Sequence, residues 1–343
     1  MKELLKIRGL TVELPTPQGW VRPVNVVSLR INEGECLGLV GESGSGKTML
    51  SLALMGLLPP GASVRGQVVL TGTTQRELTK LSEPAWRAVR GEEVAMIFQE
   101  PMTSLNPVMR VGTQIEEAVR AHRPDLTDDA VRELTIAAMR QAALSEPERR
   151  AEQYPHQLSG GLRQRAMIAM ALAAKPRLLI ADEPTTALDV TVQKEILELL
   201  QKLQRELGLA LLFITHDLGV VAQVADRVAV LYAGRVVEEG PAEEVLRSPK
   251  HPYTQGLLAA SPRLERGALS PIPGSVPQLT ALPPGCAFEP RCALRFDECR
   301  EAVPELRAAS VEHSARCLLV PARENENYNA ETPSSKSNVR KLR

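Results

Sequence analysis

The sequence predicts an α/β fold built on a parallel sheet with helices on its faces, followed by a small unit of different composition. Three observations carry this. Residues 178–181 and 209–214 are unbroken apolar runs, as expected of strands buried on both faces. Residues 192–207 between them repeat apolar side chains at helical spacing, and such alternation implies a parallel sheet. Beyond Pro249 the composition shifts: Pro252, Pro262, Pro271, Pro273, Pro277, Pro283, Pro284 and Pro290 accumulate and helical pattern largely disappears.

In chain order, the first 35 residues alternate as short strands do, at 10–14 and 26–31. Residues 36–40 form a short apolar strand ending at Gly41, and 49–58 have helical composition that stops at Pro59-Pro60-Gly61. Residues 94–98 read as a further strand. From 110 to about 143 the period is helical in two segments, parted by Arg123-Pro124-Asp125. Residues 228–237 read as a hairpin around Ala233-Gly234. The polar stretch from 323 onward has the composition of a disordered tail. The expected division is 1–250 for the main domain, with a helical insertion near 101–165, then 251–322 for the C-terminal unit and 323–343 for the tail.

The 343 residues carry 41 Lys+Arg against 41 Asp+Glu, a balance that argues against binding nucleic acid by bulk charge. Aromatics are only 3 %, which argues against base stacking, so no nucleic-acid partner is expected. The richest apolar stretch, 166–181, is broken by Lys175, Pro176 and Arg177, too early to span a bilayer. Residues 1–6 lack the apolar region of a secretory signal, so a cytoplasmic location is expected. Cys36 lies in an apolar strand and reads as core. Cys286, Cys292, Cys299 and Cys317 cluster near the end, and in a reducing compartment they read as metal or cofactor ligands before disulfides.

Gly41-Glu42-Ser43-Gly44-Ser45-Gly46-Lys47-Thr48 matches G-x-x-x-x-G-K-[ST], with a strand before it and a helix after it. Its glycines let backbone N–H groups close around a polyphosphate, Lys47 adds a point charge, and the Thr48 hydroxyl suits Mg²⁺. The strand at 178–181 ends in Asp182 and Glu183. One carboxylate at such a strand end can hold Mg²⁺, and its neighbour can polarise a water against the terminal phosphate.

With these two motifs the sequence resembles the ATP-binding cassette (ABC) ATPases, whose six motifs occur in the family's order. They are the Walker A loop at 41–48; the Q-loop Phe98-Gln99-Glu100-Pro101; and the signature Leu158-Ser159-Gly160-Gly161-Leu162-Arg163-Gln164-Arg165. They continue with the Walker B strand at 178–183; the D-loop Ala187-Leu188-Asp189; and the H-loop Ile214-Thr215-His216-Asp217. The resemblance implies a P-loop nucleotide-binding domain with a parallel-sheet core, an antiparallel β subdomain and a helical subdomain. It implies ATP and Mg²⁺ as ligands, with Thr48, Gln99 and Asp182 around the metal. Glu183 is implied as catalytic base, His216 as γ-phosphate switch, and Gln99 as the link to a transmembrane partner. Ser159, Gly160 and Gly161 are implied to bind the γ-phosphate of ATP held by an opposing cassette. The family stacks adenine on an aromatic near the end of the first strand; this chain has Leu14 there, and Trp20 is the candidate stacking face.

Further stretches are similar to the oligopeptide/dipeptide importer branch, closest to its D-type subunit: residues 95–107, 154–161, 181–191 and the motif His251-Pro252-Tyr253-Thr254. That resemblance implies a peripheral subunit on the cytoplasmic face of the membrane. Its partners would be a second cassette, two permease subunits and an extracytoplasmic solute-binding protein. Peptides are the implied cargo, with nickel, glutathione and opines carried by related systems. The cysteine spacing from 286 to 317 suits four thiolates around Zn²⁺ or a 4Fe–4S cluster, and the branch implies the iron–sulfur cluster.

Overall fold

The computed structural model describes residues 2–72, 75–99, 104–186, 188–261 and 271–321. Two sheets face each other. The first is antiparallel: β1 (Glu3–Thr16) pairs with β2 (Gly19–Asn32) and with β4 (Ser63–Thr71), and β5 (Gln75–Glu77) closes the edge. The short strands expected at 10–14 and 26–31 are parts of two 14-residue strands. Register shifts along β1 and β2 break strict alternation, which is why the sequence pattern shows only fragments of them.

Among the described residues the second sheet has a parallel part of five strands, extended at one edge by three more. Its parallel part runs through β9 (Arg227–Tyr232), β3 (Cys36–Val40), β8 (Ala210–Thr215), β7 (Leu178–Asp182) and β6 (Val94–Ile97). Both faces of this part are covered, so alternate residues enter different cores. Leu178, Ile180, Leu212 and Ile214 face the antiparallel sheet, with α1 (Lys47–Leu54) between. Leu179, Ala181, Leu211 and Phe213 face a helical layer. That two-sided burial explains the unbroken apolar runs.

The helical layer contains α3 (Val111–His122), α4 (Asp128–Gln141), α6 (Gly160–Leu172) and α7 (Val190–Leu207); α2 (Glu83–Arg87) and α5 (Pro147–Ala151) are short connectors. Three of these helices start on a side-chain cap. The Thr127 hydroxyl caps α4 by accepting from Ala130 N–H, and Ser159 does the same for α6 from Leu162 N–H. The Asp189 carboxylate caps α7 by accepting from Thr191 and Val192 N–H at 3.1 and 3.0 Å. The first helix ends earlier than its composition suggests, at Leu54, because Gly56 adopts φ 62° with its α-carbon against the Trp86 ring.

β10 (Arg235–Pro241) returns antiparallel to β9 through Ala233 and Gly234, both at positive φ (46° and 80°), as a two-residue hairpin turn requires. α8 (Leu218–Val224) and α9 (Ala242–Arg247) pack beside this edge. Residues beyond 250 do not stand apart from the cassette. After α10 (Pro252–Ala259), β12 (Ser314–Ala315) pairs with β10, β11 (Arg307–Ala308) extends the edge, and Tyr253 and Phe288 share a core with Val228, Val230 and Tyr232. The tail assigned to 323–343 lies outside the described residues, as do Glu100, Pro101 and Ala187 of the family motifs.

His251-Pro252-Tyr253 has a structural logic of its own. His251 Nδ1 accepts from Tyr253 N–H at 3.0 Å and so caps α10, while Pro252 occupies its first turn. The backbone N–H groups of Lys250 and His251 both donate to the fully buried Glu238 carboxylate, at 2.6 and 2.9 Å. His313 Nε2 lies 2.7 Å from the same carboxylate. Burial drives the His251 imidazole from 6.5 down to about 4, against the pull of Glu238. Above pH 6.5 the ring is neutral folded or unfolded, and stability is complete. Between 6.5 and 4 the unfolded chain binds the extra proton, so stability falls as pH drops, by ~2 kcal/mol at pH 5. Denaturation at pH 7.5 and 5.0 should show this loss, and His251→Asn, which keeps a capping acceptor, should lose that share of the slope. Equal slopes in the two proteins would refute the assignment.

Candidate functional site

The residues at 41–48 link β3 to α1, at the carboxyl end of the parallel strands where such sheets bind ligands. Gly46 is the helix cap, at φ 108°, and a side chain there would press to 1.9 Å from the Pro23 carbonyl. Glycine at this position is therefore required by space and by conformation together. The Ala233–Gly234 turn braces the loop, with Gly234 N–H donating to Ser45 O at 2.9 Å. Lys47 is buried and its ammonium folds back on the loop, donating to the carbonyls of Gly41 at 2.7 Å and Glu42 at 3.0 Å. Burial lowers its pKa, opposed by Glu183, Asp182 and Glu42. A cation held among carbonyls beside the N–H groups of a helix start is a site for phosphate. Ser43 and Gly44 form the exposed crest of the loop.

At the end of β7, Asp182 is buried and its Oδ1 has no hydrogen-bond partner among the described residues. Oδ2 lies 3.5 Å from Ser51 Oγ. Burial raises the Asp182 carboxyl, and the Thr48 and Ser51 hydroxyls and Lys47 work against that rise. An orphaned carboxylate oxygen near the Thr48 hydroxyl is a hard-oxygen donor pair that fits Mg²⁺, an ion that keeps several waters and phosphate oxygens besides.

Glu183, one residue on, is the meeting point of three separate segments. Gln99 Nε2 donates to Glu183 Oε2 at 3.2 Å, Thr186 Oγ1 donates to the same oxygen at 2.9 Å, and His216 Nδ1 lies 3.4 Å from it. The His216 contact chiefly lowers the Glu183 carboxyl, and the same contact raises the His216 imidazole. Glu183 itself sits at φ 47°, the left-handed region that non-glycine residues avoid, and its N–H is tied to Ile214 O at 2.9 Å. Such strain is retained where neighbouring structure fixes it, commonly at functional sites. The structure thus assembles Lys47, Thr48, Asp182, Glu183, Gln99 and His216 at one sheet end.

Ser159, Gly160 and Gly161 lie elsewhere, at the start of α6 in the helical layer. Ser159 and Gly160 are exposed, and Gly161 abuts Val192 of α7, where a side chain would come to 2.7 Å. Trp20 is 60 % exposed near the β1–β2 turn, on the strand that delivers Pro23 to Gly46.

The four cysteines read from the sequence as a ligand set lie close together in the fold. Cys286, Cys292, Cys299 and Cys317 line one small cavity with Phe296 and Leu294. Yet among the described residues no group of three or more His, Cys, Asp or Glu side chains is placed to hold a metal ion. Short turns carry these cysteines, and Cys286 N–H donates to Cys299 O at 2.8 Å. Burial pushes the Cys286 thiol up to about 11. Cys36 is fully buried in β3, as read from the sequence.

Sequence reasoning missed the partners of Glu42. Its carboxylate accepts two bonds from Arg291, at 2.7 and 3.0 Å, and its N–H donates to Tyr253 Oη at 2.8 Å. No local signal marks a pair 249 residues apart.

Comparison with known proteins agrees with this geometry. Residues 24–186 match the ABC transporter family model, and residues 237–299 match the oligopeptide/dipeptide transporter C-terminal region. The chain is similar to a putative peptide import ATP-binding protein of Brucella ovis, 50 % identical over 92 % of this chain and 96 % of that one. It is similar to the oligopeptide transport ATP-binding protein OppD of Bacillus subtilis, 46 % identical over 92 % and 89 %. Its fold is similar to a solved dimeric ATP-binding cassette in a post-hydrolysis state bound to ADP and Pi. That match has a TM-score of 0.62 and 29 % identity, over 70 % of this chain and 99 % of that one. Fold and site together define an ATP-binding cassette. The chain belongs to the ABC transporter family, as an ATP-binding subunit carrying the oligopeptide/dipeptide transporter C-terminal region. No helix among the described residues is long and apolar enough to cross a membrane.

Proposed function

We propose that this chain is the ATP-hydrolysing subunit of an importer for dipeptides and oligopeptides, seated peripherally on the cytoplasmic face of the membrane. The observation that carries the hydrolytic part is the convergence of Gln99, Thr186 and His216 on one oxygen of Glu183, beside Lys47 and the orphaned oxygen of Asp182. The residues at 41–48 bind the triphosphate through N–H groups and Lys47. Thr48 and Asp182, with Gln99 near, would hold Mg²⁺, which would neutralise phosphate charge. Glu183 takes a proton from the attacking water as that oxygen bonds to the γ-phosphorus and the bond to the bridging oxygen breaks, giving ADP and phosphate. His216 orients Glu183 and senses the γ-phosphate. Trp20 stacks on adenine.

Ser159, Gly160 and Gly161 at the start of α6, the first two exposed, complete the site of an opposing cassette. Two cassettes therefore close on two nucleotides, and closure drives two permease subunits fed by a solute-binding protein. Residues 1–250 act as the motor, with 101–165 as its helical subdomain and the permease contact near Gln99 and the segment after it, and 251–322 as an appended unit. The four cysteines are proposed to hold a 4Fe–4S cluster. What supports this is that all four line one small cavity, and that four thiolates are the ligand set such a cluster takes. Iron and acid-labile sulfide in anaerobically purified protein decide this; absence of both removes the cluster.

The cargo is tested on the assembled transporter in vesicles. Peptide-loaded binding protein should stimulate phosphate release several-fold. Stimulation by nickel, glutathione or opines, with none by peptides, would overturn the peptide reading and leave the ATPase intact.

A further inference from the structure

The C-terminal region reaches the phosphate loop at one residue. Glu42 has three polar groups, and each is engaged. Its N–H donates to Tyr253 Oη at 2.8 Å, its carbonyl accepts from Lys47 Nζ at 3.0 Å, and its carboxylate is gripped by both ends of the Arg291 guanidinium. Arg291 is itself buried, with Nε donating to Pro273 O at 2.9 Å and the guanidinium 5.9 Å from the Tyr232 and Phe288 rings. Tyr253 is fully buried against the same two rings. These groups come from residues past 250, which the nucleotide motifs do not include.

We propose that Arg291 is a positioning residue for the ATP site: it neutralises and fixes Glu42, and Tyr253 holds the same residue by its backbone. The inference rests on the reading of residues 41–48 as the triphosphate cradle. The physical reason is charge. A carboxylate inside a loop that receives a triphosphate repels it, and the Glu42 charge already acts on Lys47. A two-pronged guanidinium cancels that charge and prevents the carboxylate from swinging toward the phosphates. Because Glu42 O also holds Lys47, the strap sets the position of the principal phosphate-binding cation.

The experiment measures affinity of the full-length chain for a fluorescent ATP analogue, with melting curves to establish folding. Arg291→Met should weaken binding about tenfold, equal to ~1.4 kcal/mol. The deficit should shrink at high salt, since it is a repulsion between charges. Adding Glu42→Gln to Arg291→Met should restore affinity to within about threefold of the wild type, which loss of a merely structural contact would not do. If Arg291→Met does not fold, Arg291→Lys keeps the charge without the fork and should weaken binding about threefold. A folded Arg291→Met binding within twofold of the wild type, or a double variant no tighter than Arg291→Met, overturns the inference. So does a folded Arg291→Lys equal to the wild type. A wild-type chain that binds no ATP analogue would instead overturn the nucleotide reading itself, and this inference with it.

Discussion

Glu183→Gln should bind ATP within a few-fold of the wild type while hydrolysing it about 10²–10⁴-fold more slowly, the span assigned to a positioned general base. Glutamine has the same length, so the Thr186 hydroxyl and Gln99 amide keep a neighbour at the position of Oε2. An amide cannot take the proton of the attacking water. The His216 imidazole also loses the group that chiefly raises its pKa, so its titration, followed by NMR, should move down in the variant. Phosphate release from the assembled transporter gives the rate, and a fluorescent analogue gives the affinity. Full turnover in Glu183→Gln would refute the assignment of the base.

Lys47→Ala should act at the opposite point, on binding. The Lys47 ammonium is buried and held by the Gly41 and Glu42 carbonyls, next to the N–H groups that open α1. Its removal takes away a charge-assisted contact to phosphate and the Lys47 bonds to the Gly41 and Glu42 carbonyls, the latter keeping only its bond from Ser45 N–H at 3.2 Å. At roughly 1.5–3 kcal/mol for a hydrogen bond to a charged group, ATP affinity should fall about 10- to 100-fold. Equilibrium binding of the same analogue measures it. A Lys47→Ala chain with wild-type affinity would show that the loop does not grip the phosphates.

The two substitutions separate because the site has two halves of different origin, and these halves were unequally readable in the sequence. The phosphate half is a contiguous motif: eight consecutive residues carry the glycines, the lysine and the hydroxyl, so spacing alone points to the chemistry. The hydrolytic half is distributed over Gln99, Glu183 and His216, each a weak signal alone. Family order linked them, and the fold brings them to one oxygen because β6, β7 and β8 are adjacent parallel strands ending at the same sheet edge. The long apolar strands were readable because burial on both faces removes alternation. β4 and β5 were not, since Ser63–Thr71 carries Gly66 and mixed polarity, as an edge region does.

The C-terminal region was the least readable. Its proline content marked a small unit of different composition, but gave no sign that Tyr253, Phe288 and Arg291 enter the core and the loop of the cassette. Contacts of such sequence separation have no periodicity to reveal them. The His251-Pro252-Tyr253 motif appeared only as a family mark. The structure gives it physical work: a helix cap at His251 and a hydroxyl that holds the backbone of Glu42.

In the proposed function ATP is gripped between residues 41–48 of this chain and the exposed Ser159 and Gly160 of an opposing cassette. The most direct measurement is the mass in solution of Glu183→Gln mixed with the second cassette of its transporter. A complex of two cassettes is expected with ATP, lost with ADP and lost again when Ser159→Arg blocks the patch. Two separate cassettes in saturating ATP, each with nucleotide bound, would contradict it.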